Sequence, residues 1–211
     1  VSLPIIIIGA GGHAKVVADA LAVAGTDILG FTDANPTKWG TQVNGWPVLG
    51  GDEVISSRAP DSVLLVNGVG SAGSVASRRD TYLKFRSLGY QFMTVIHPRA
   101  VVSPHAVLGQ GAQLMACAVV QPSAVIGENS IINTSAVIEH DCRIGAHCHI
   151  APGVSISGGV CVGSETHIGT GSSIIQNVEI GAQCLVAAGS VVVGSHGSGL
   201  KLRGIPARPV T

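Results

Sequence analysis

His140 sits in Ile138-Glu139-His140-Asp141-Cys142, with a carboxylate on either side. A carboxylate beside an imidazole fixes its tautomer and raises its basicity, as a general base requires. An exposed histidine in a polar turn has the same surroundings, and spacing alone leaves the two readings even. Seven more histidines follow the chain: His13, His97, His105, His147, His149, His167 and His196. His97 precedes Pro98 and reads as a turn residue; His105 and His196 read as solvated.

A second chemical signal is Gly9-Ala10-Gly11-Gly12-His13-Ala14-Lys15, between the apolar run Ile5–Ile8 and a helical stretch. Gly9-x-Gly11-x-x-Ala14 has the spacing of a turn that brings phosphate onto a helix N-terminus. Asp33 closes the next apolar stretch, where such units place a ribose-binding acid. The GxxxxGK[ST] spacing of a P-loop is absent.

The elements that must hold these residues fall into two kinds. From Ile96, every sixth residue is Ile, Leu or Val up to Val192, and the position four further on is always small or β-branched. Period six fits neither a helix nor an ordinary strand, but it does fit a hexapeptide solenoid of short strands and corners. Both repeated positions point inward, and the glycines that often follow the aliphatic residue read as relief for the corner backbone. Three hexads make a triangular coil, so residues eighteen apart stack ~4.8 Å apart. That rule stacks His149 on His167 and His140 on Gly158, and it puts His140 and His149 on opposite sides of one prism. Between five and six coils are expected, with no projecting loop.

The first ninety-five residues read as a small parallel β-α-β-β-α unit. Its strands are Ile5–Ile8, Ile28–Thr32 and Val63–Val66, with helices from Val16 to Ala24 and from Ser71 to Leu88. Pro36, Gly40, Gly45, Pro47 and Gly50 mark a long turn region. The fold class is thus an α/β half-Rossmann domain, 1–95, followed by a parallel β-helix, 96–211.

Composition excludes several classes. Twelve basic residues balance twelve acidic ones, which argues against a nucleic-acid partner. No apolar run reaches the ~18 residues of a membrane span, and no basic region precedes Ile5–Ile8 as a signal peptide would require. Aromatics are 3% of the chain, so small and aliphatic side chains must fill the interior. The five cysteines form no CxxC pair, which points to a reducing cytoplasm; Cys142, Cys148 and Cys184 fall at the small inward position and read as packing. His147, His149 and His167 offer a zinc-ligand set like that of the solenoid gamma-type carbonic anhydrases, but outward alternation along a solenoid edge produces the same spacing.

The glycine turn, joined to a solenoid carrying Asn133-Thr134-Ser135-Ala136-Val137-Ile138-Glu139-His140-Asp141-Cys142 and ending in Gly204-Ile205-Pro206-Ala207, resembles the bacterial nucleotide-amino-sugar acetyltransferases. These include the UDP-bacillosamine-pathway and GDP-perosamine N-acetyltransferases and the sialic-acid O-acetyltransferase-like proteins. The resemblance implies a left-handed solenoid, a homotrimer with sites between subunits, and acetyl-CoA as co-substrate with no metal. It implies transfer to the amino group of a nucleotide-linked sugar, in the first instance a UDP-4-amino-4,6-dideoxy sugar, with O-acetylation and a zinc solenoid enzyme as the alternatives. It makes His140 the general base and Asp141 the acid that raises its basicity. Nucleotide-sugar contacts fall on Gly11, Gly12, His13, Asp33 and Gly70, and acetyl-CoA contacts on His149, Thr170 and Ala188. Gly158, one coil from His140, is the candidate oxyanion donor. The chain departs from the family at Ala34, where a second acid is frequent, and at Gly68-Val69-Gly70-Ser71, which replaces a Gly-Asn pair.

Overall fold

The structure is a computed structural model that describes residues 3–71 and 74–210. Strand β1 (Ile5–Ile8) is wholly buried and pairs in parallel with β2 (Ile28–Thr32) and with β5 (Leu64–Asn67). Helix α1 (Gly12–Val23) packs Ala14, Val17, Ala18 and Leu21 onto this sheet, a helical spacing of small and aliphatic residues. It begins four residues before its expected start.

The turn region after Asp33 is more ordered than its glycines and prolines suggest. It contains β3 (Gln42–Val43) and β4 (Trp46–Gly50), a hairpin that adds β4 in parallel to β2. With β6 (Gln91–Phe92) the sheet order is β3-β4-β2-β1-β5-β6. Pro47 is tolerated because it sits at the hairpin, next to the edge. Helix α3 (Ala76–Ser87) follows a four-residue helix α2 (Glu53–Ser56) and starts later than expected; part of its expected first turn, residues 72–73, lies outside the described residues. Small residues do not fill this half alone. All seven aromatics precede residue 96, and Phe31, Tyr82, Phe85, Tyr90 and Phe92 are buried.

From β7 (Val95–Ile96) to β23 (Val191–Val192) the chain winds as a parallel β-helix, left-handed as expected, with two-residue strands pairing at a constant offset of eighteen. The inward aliphatic column is buried from Leu114 to Val192, and the small positions from Ala112 to Ser190 are buried beside it. Buried hydroxyls and thiols in that column are satisfied: Ser130 Oγ donates to Gly145 O at 2.8 Å and Thr166 Oγ1 to Gly181 O at 2.8 Å. The corners differ from the expectation. Left-handed backbone occurs three residues after the aliphatic position from Leu108 to Val186, as at Asp141, His147, Gly153 and Gly159. The glycines directly after the aliphatic residue serve close stacking instead: a Cβ on Gly109 would stand 2.5 Å from Glu128 N in the next coil. The last coil closes with a hairpin, β24 (Lys201–Gly204) and β25 (Ala207–Val210). The α/β domain leans on the solenoid face formed by β7 and the strands stacked above it, through contacts described next.

Candidate active site

The glycine turn leaves β1 and enters α1. Gly9 needs its glycine, with φ +90°. Gly68 needs it too, since a Cβ there would stand 2.8 Å from the Ala14 Cβ. Gly11 and Gly12 do not: a Cβ at either meets nothing within 4 Å, and neither has left-handed backbone. The fold therefore leaves room over these two residues, at a helix N-terminus with no acidic side chain in its first turn and no side-chain cap. The cleft there holds about 400 Å³ and is bounded by Gly11, Gly12, His13, Asp33, Lys38 and Gly70.

Asp33 is nearly buried. Its carboxylate accepts from Ala10 N at 2.8 Å, Asn35 N at 2.9 Å and Lys38 Nζ at 2.8 Å. Burial alone would raise its pKa; these three donors outweigh that and hold it below the usual carboxylate range. Lys38 thus brings an ammonium to the rim of the cleft, a feature that spacing did not signal.

His13 is held by the solenoid. Its Nε2 lies 2.8 Å from Gln113 Oε1, while Gln113 Nε2 donates to Asn67 O at 2.8 Å. The amide orientation makes Oε1 the acceptor, so His13 carries its proton on Nε2. Burial, and secondly the charge of Arg78, pull its pKa down to about 4, and the ring is neutral.

A second cleft runs beside the first, between Gly12, His13, Gly70 and Ser71 on one side and Asn133, Thr134 and His149 on the other. Asn133 Oδ1 accepts from Thr134 N, which turns Nδ2 toward His149 Nε2 at 3.0 Å. His149 Nδ1 is 2.7 Å from Ser71 Oγ. Burial, then the neighbouring His167, lower the His149 pKa to about 3. His149 and His167 stack edge to face at 4.8 Å, as the eighteen-residue rule requires. A third groove continues along this face past Thr170 and Ala188. His147 turns away from His149 at a left-handed corner and bonds Asn129 at 3.0 Å. Among the described residues no group of three or more His, Cys, Asp or Glu is placed to hold a metal ion.

His140 stands elsewhere. It occupies another solenoid corner, its side chain 64% exposed, and lines none of these clefts. Its Nδ1 is 2.8 Å from Asp141 Oδ2. A carboxylate only accepts, so Nδ1 carries a proton and Nε2 is the ring nitrogen left without a partner among the described residues. Asp141 reaches back because its corner backbone is left-handed, at φ +61°. Gly158 lies against the ring: a Cβ there would stand 2.7 Å from Nε2. One chain thus brings Gly11, Gly12, His13, Asp33 and Gly70 to one cleft, and His149, Thr170 and Ala188 to one groove. It does not bring His140, Asp141 and Gly158 to either.

Residues 4–82 match the family model described as PglD N-terminal domain, and residues 123–158 match bacterial transferase hexapeptide (six repeats). The acetyltransferase domain of PglB from Neisseria gonorrhoeae is 37% identical, with 99% of this chain and 100% of that chain covered and a TM-score of 0.91; it has also been solved with acetyl coenzyme A. PerB from Caulobacter crescentus, in complex with CoA and GDP-perosamine, is 37% identical over all of both chains, with a TM-score of 0.91. WeeI from Acinetobacter baumannii, 24% identical with a TM-score of 0.81, shares the fold. No curated protein sequence matches.

Proposed function

Since the chain belongs to the bacterial nucleotide-amino-sugar acetyltransferases, we propose that it transfers the acetyl group of acetyl-CoA to the amino group of a nucleotide-linked amino-deoxy sugar. The observation that carries this is the full-length match to an enzyme solved with CoA and GDP-perosamine together. The open space over Gly11 and Gly12 supports it, because the fold has no use for glycine there and a diphosphate approaching backbone N–H groups does. Lys38 would meet the same negative charge. Gly70 and His13 would face the sugar, and Asp33 the nucleoside. The acetyl-CoA arm would lie along His149, Thr170 and Ala188.

In the reaction the sugar amine attacks the thioester carbonyl carbon and the C–N bond forms. His140 Nε2 takes the proton that the amine nitrogen sheds. Asp141 holds the tautomer and balances the imidazolium. The carbonyl oxygen, now an oxyanion, would accept from the Gly158 N–H. Collapse breaks the C–S bond, and the departing CoA sulfur recovers the proton from His140. Because the His140 corner lines neither cleft in one chain, the working unit is a homotrimer whose sites combine the corner of one subunit with the clefts of another. Residues 1–95 act as the nucleotide-sugar unit and 96–211 as the acetyl-CoA unit. Among the described residues no helix is long and apolar enough to cross a membrane. A cytoplasmic setting, where free cysteines persist, completes the proposal.

Thiol release from acetyl-CoA tests it, with UDP- and GDP-linked 4-amino-4,6-dideoxy sugars as acceptors. Release that depends on the amine is expected. Release with hydroxyl acceptors alone would replace N- by O-acetylation, and release with no nucleotide sugar would end the reading.

A further inference from the structure

Arg78 lies on α3 and is 1% exposed, yet it pairs with no carboxylate among the described residues. Burial lowers its pKa to about 9, which leaves it cationic at neutral pH. A buried charge without a counter-charge is costly, and an apolar residue of similar volume would serve the fold alone at least as well. Two of the three guanidinium nitrogens bind backbone carbonyls: Nη1 donates to Asn67 O at 2.7 Å and Val69 O at 2.9 Å, and Nε to Asn129 O at 3.1 Å, while the buried Nη2 has no partner among the described residues. Asn67 ends β5 and Val69 lies in the loop after it, while Asn129 belongs to the solenoid. Only a planar fork spans that set.

The loop it grips is a wall of the nucleotide cleft. Val69 and Gly70 line it together with Gly11 and Gly12. Val69 N also donates to Asn67 Oδ1 at 3.1 Å, so Val69 is held at both its N–H and its carbonyl. Asn67 O is in turn the acceptor for Gln113, which orients His13. We propose that Arg78 is a positioning residue for the nucleotide-sugar substrate: it fixes the Val69–Gly70 wall and, through Asn67 and Gln113, the His13 ring against the solenoid. The inference rests on the nucleotide cleft proposed above.

Neighbouring Arg79 supplies the control. It also ties α3 to the solenoid, through Glu165 at 2.6 Å, but touches no wall of the cleft. Calorimetry on the full chain would measure binding of UDP, GDP and CoA to wild type, Arg78→Met, Arg78→Lys and Arg79→Ala. The expected result is a loss of about tenfold or more in nucleotide affinity for Arg78→Met, a smaller loss for Arg78→Lys, and CoA affinity within twofold throughout. Arg79→Ala should bind all ligands as wild type does. Unchanged nucleotide affinity in both Arg78 variants overturns the proposal. So does a loss shared equally with CoA or with Arg79→Ala, which would assign Arg78 to folding or domain docking. If wild type binds neither UDP nor GDP, the cleft reading itself fails and takes this inference with it.

Discussion

The His140 corner and the seam between the domains both present histidines, and they treat them in opposite ways. His140 is exposed and bonded to a carboxylate. His13 and His149 are half-buried and bonded to neutral amide and hydroxyl groups, with pKa values of about 4 and about 3. The imidazole beside Asp141 has one ring nitrogen bonded and the other open at an exposed corner. An imidazole in the seam stays neutral and serves as a fixed donor and acceptor. Residue type alone does not distinguish the two; the neighbours do.

The strongest break of this contrast is His140→Ala. It should lower kcat by ~10²–10⁴, the usual share of a general base, while Kd for nucleotide and CoA stays near wild type. Near-normal turnover would remove His140 from the chemistry. Next is Gly158→Ala. A methyl 2.7 Å from Nε2 displaces the ring, and a shift of ~1 Å costs on the order of 10²-fold in rate; melting temperature should change little, because the ring can swing into solvent. Unaltered kcat would show that the stacked pair is incidental.

The seam has its own test, with a smaller effect. His13 has a folded-state pKa of about 4 against an unfolded value of 6.5, so between these values the unfolded chain binds more protons. Stability is therefore full above pH ~6.5 and falls as pH drops toward 4, by about 2 kcal/mol at pH 5. In His13→Gln that much of the acid-induced loss should disappear, measured by denaturant unfolding at pH 7.5 and pH 5. An unchanged pH slope would mean that His13 is not held neutral by the fold. Asp141→Asn should have the mildest effect on rate, below that of either corner variant above, since the amide oxygen can still accept from Nδ1. A loss as large as that of His140→Ala would make Asp141 a proton carrier and not an orienting group.

The solenoid was legible because its constraints are local and repeat. Each hexad states the same inward aliphatic and small positions, so the phase from Ile96 to Val192, the stacking of His149 on His167 and the approach of Gly158 to His140 all follow from counting. The glycine turn was legible for the same reason, as a short motif between two elements. Strand β4 was not, because Pro47 and Gly50 are turn-type residues whose strand conformation is set by pairing with β2 and β3, and only Gly45 stays in a turn. The seam was not either. His13 and Gln113 are a hundred residues apart, and no spacing rule connects them. One signal was available: Arg78, Tyr82 and Phe85 share a helical face, which marks Arg78 as buried with the two aromatics.

In the proposed trimer the base and the nucleotide cleft come from different subunits, and subunit mixing decides whether they do. His140→Ala retains the cleft, and a Gly12→Trp variant, whose side chain fills the open space over the turn, retains the base. Each alone should be nearly inactive. Dissociated together and reassembled one to one, random trimers pair an intact cleft with an intact corner at about a quarter of their interfaces. Activity recovering to about a quarter of wild type is the expected result. A mixture no more active than the sum of its two parents would place base and substrate in the same chain and contradict the account.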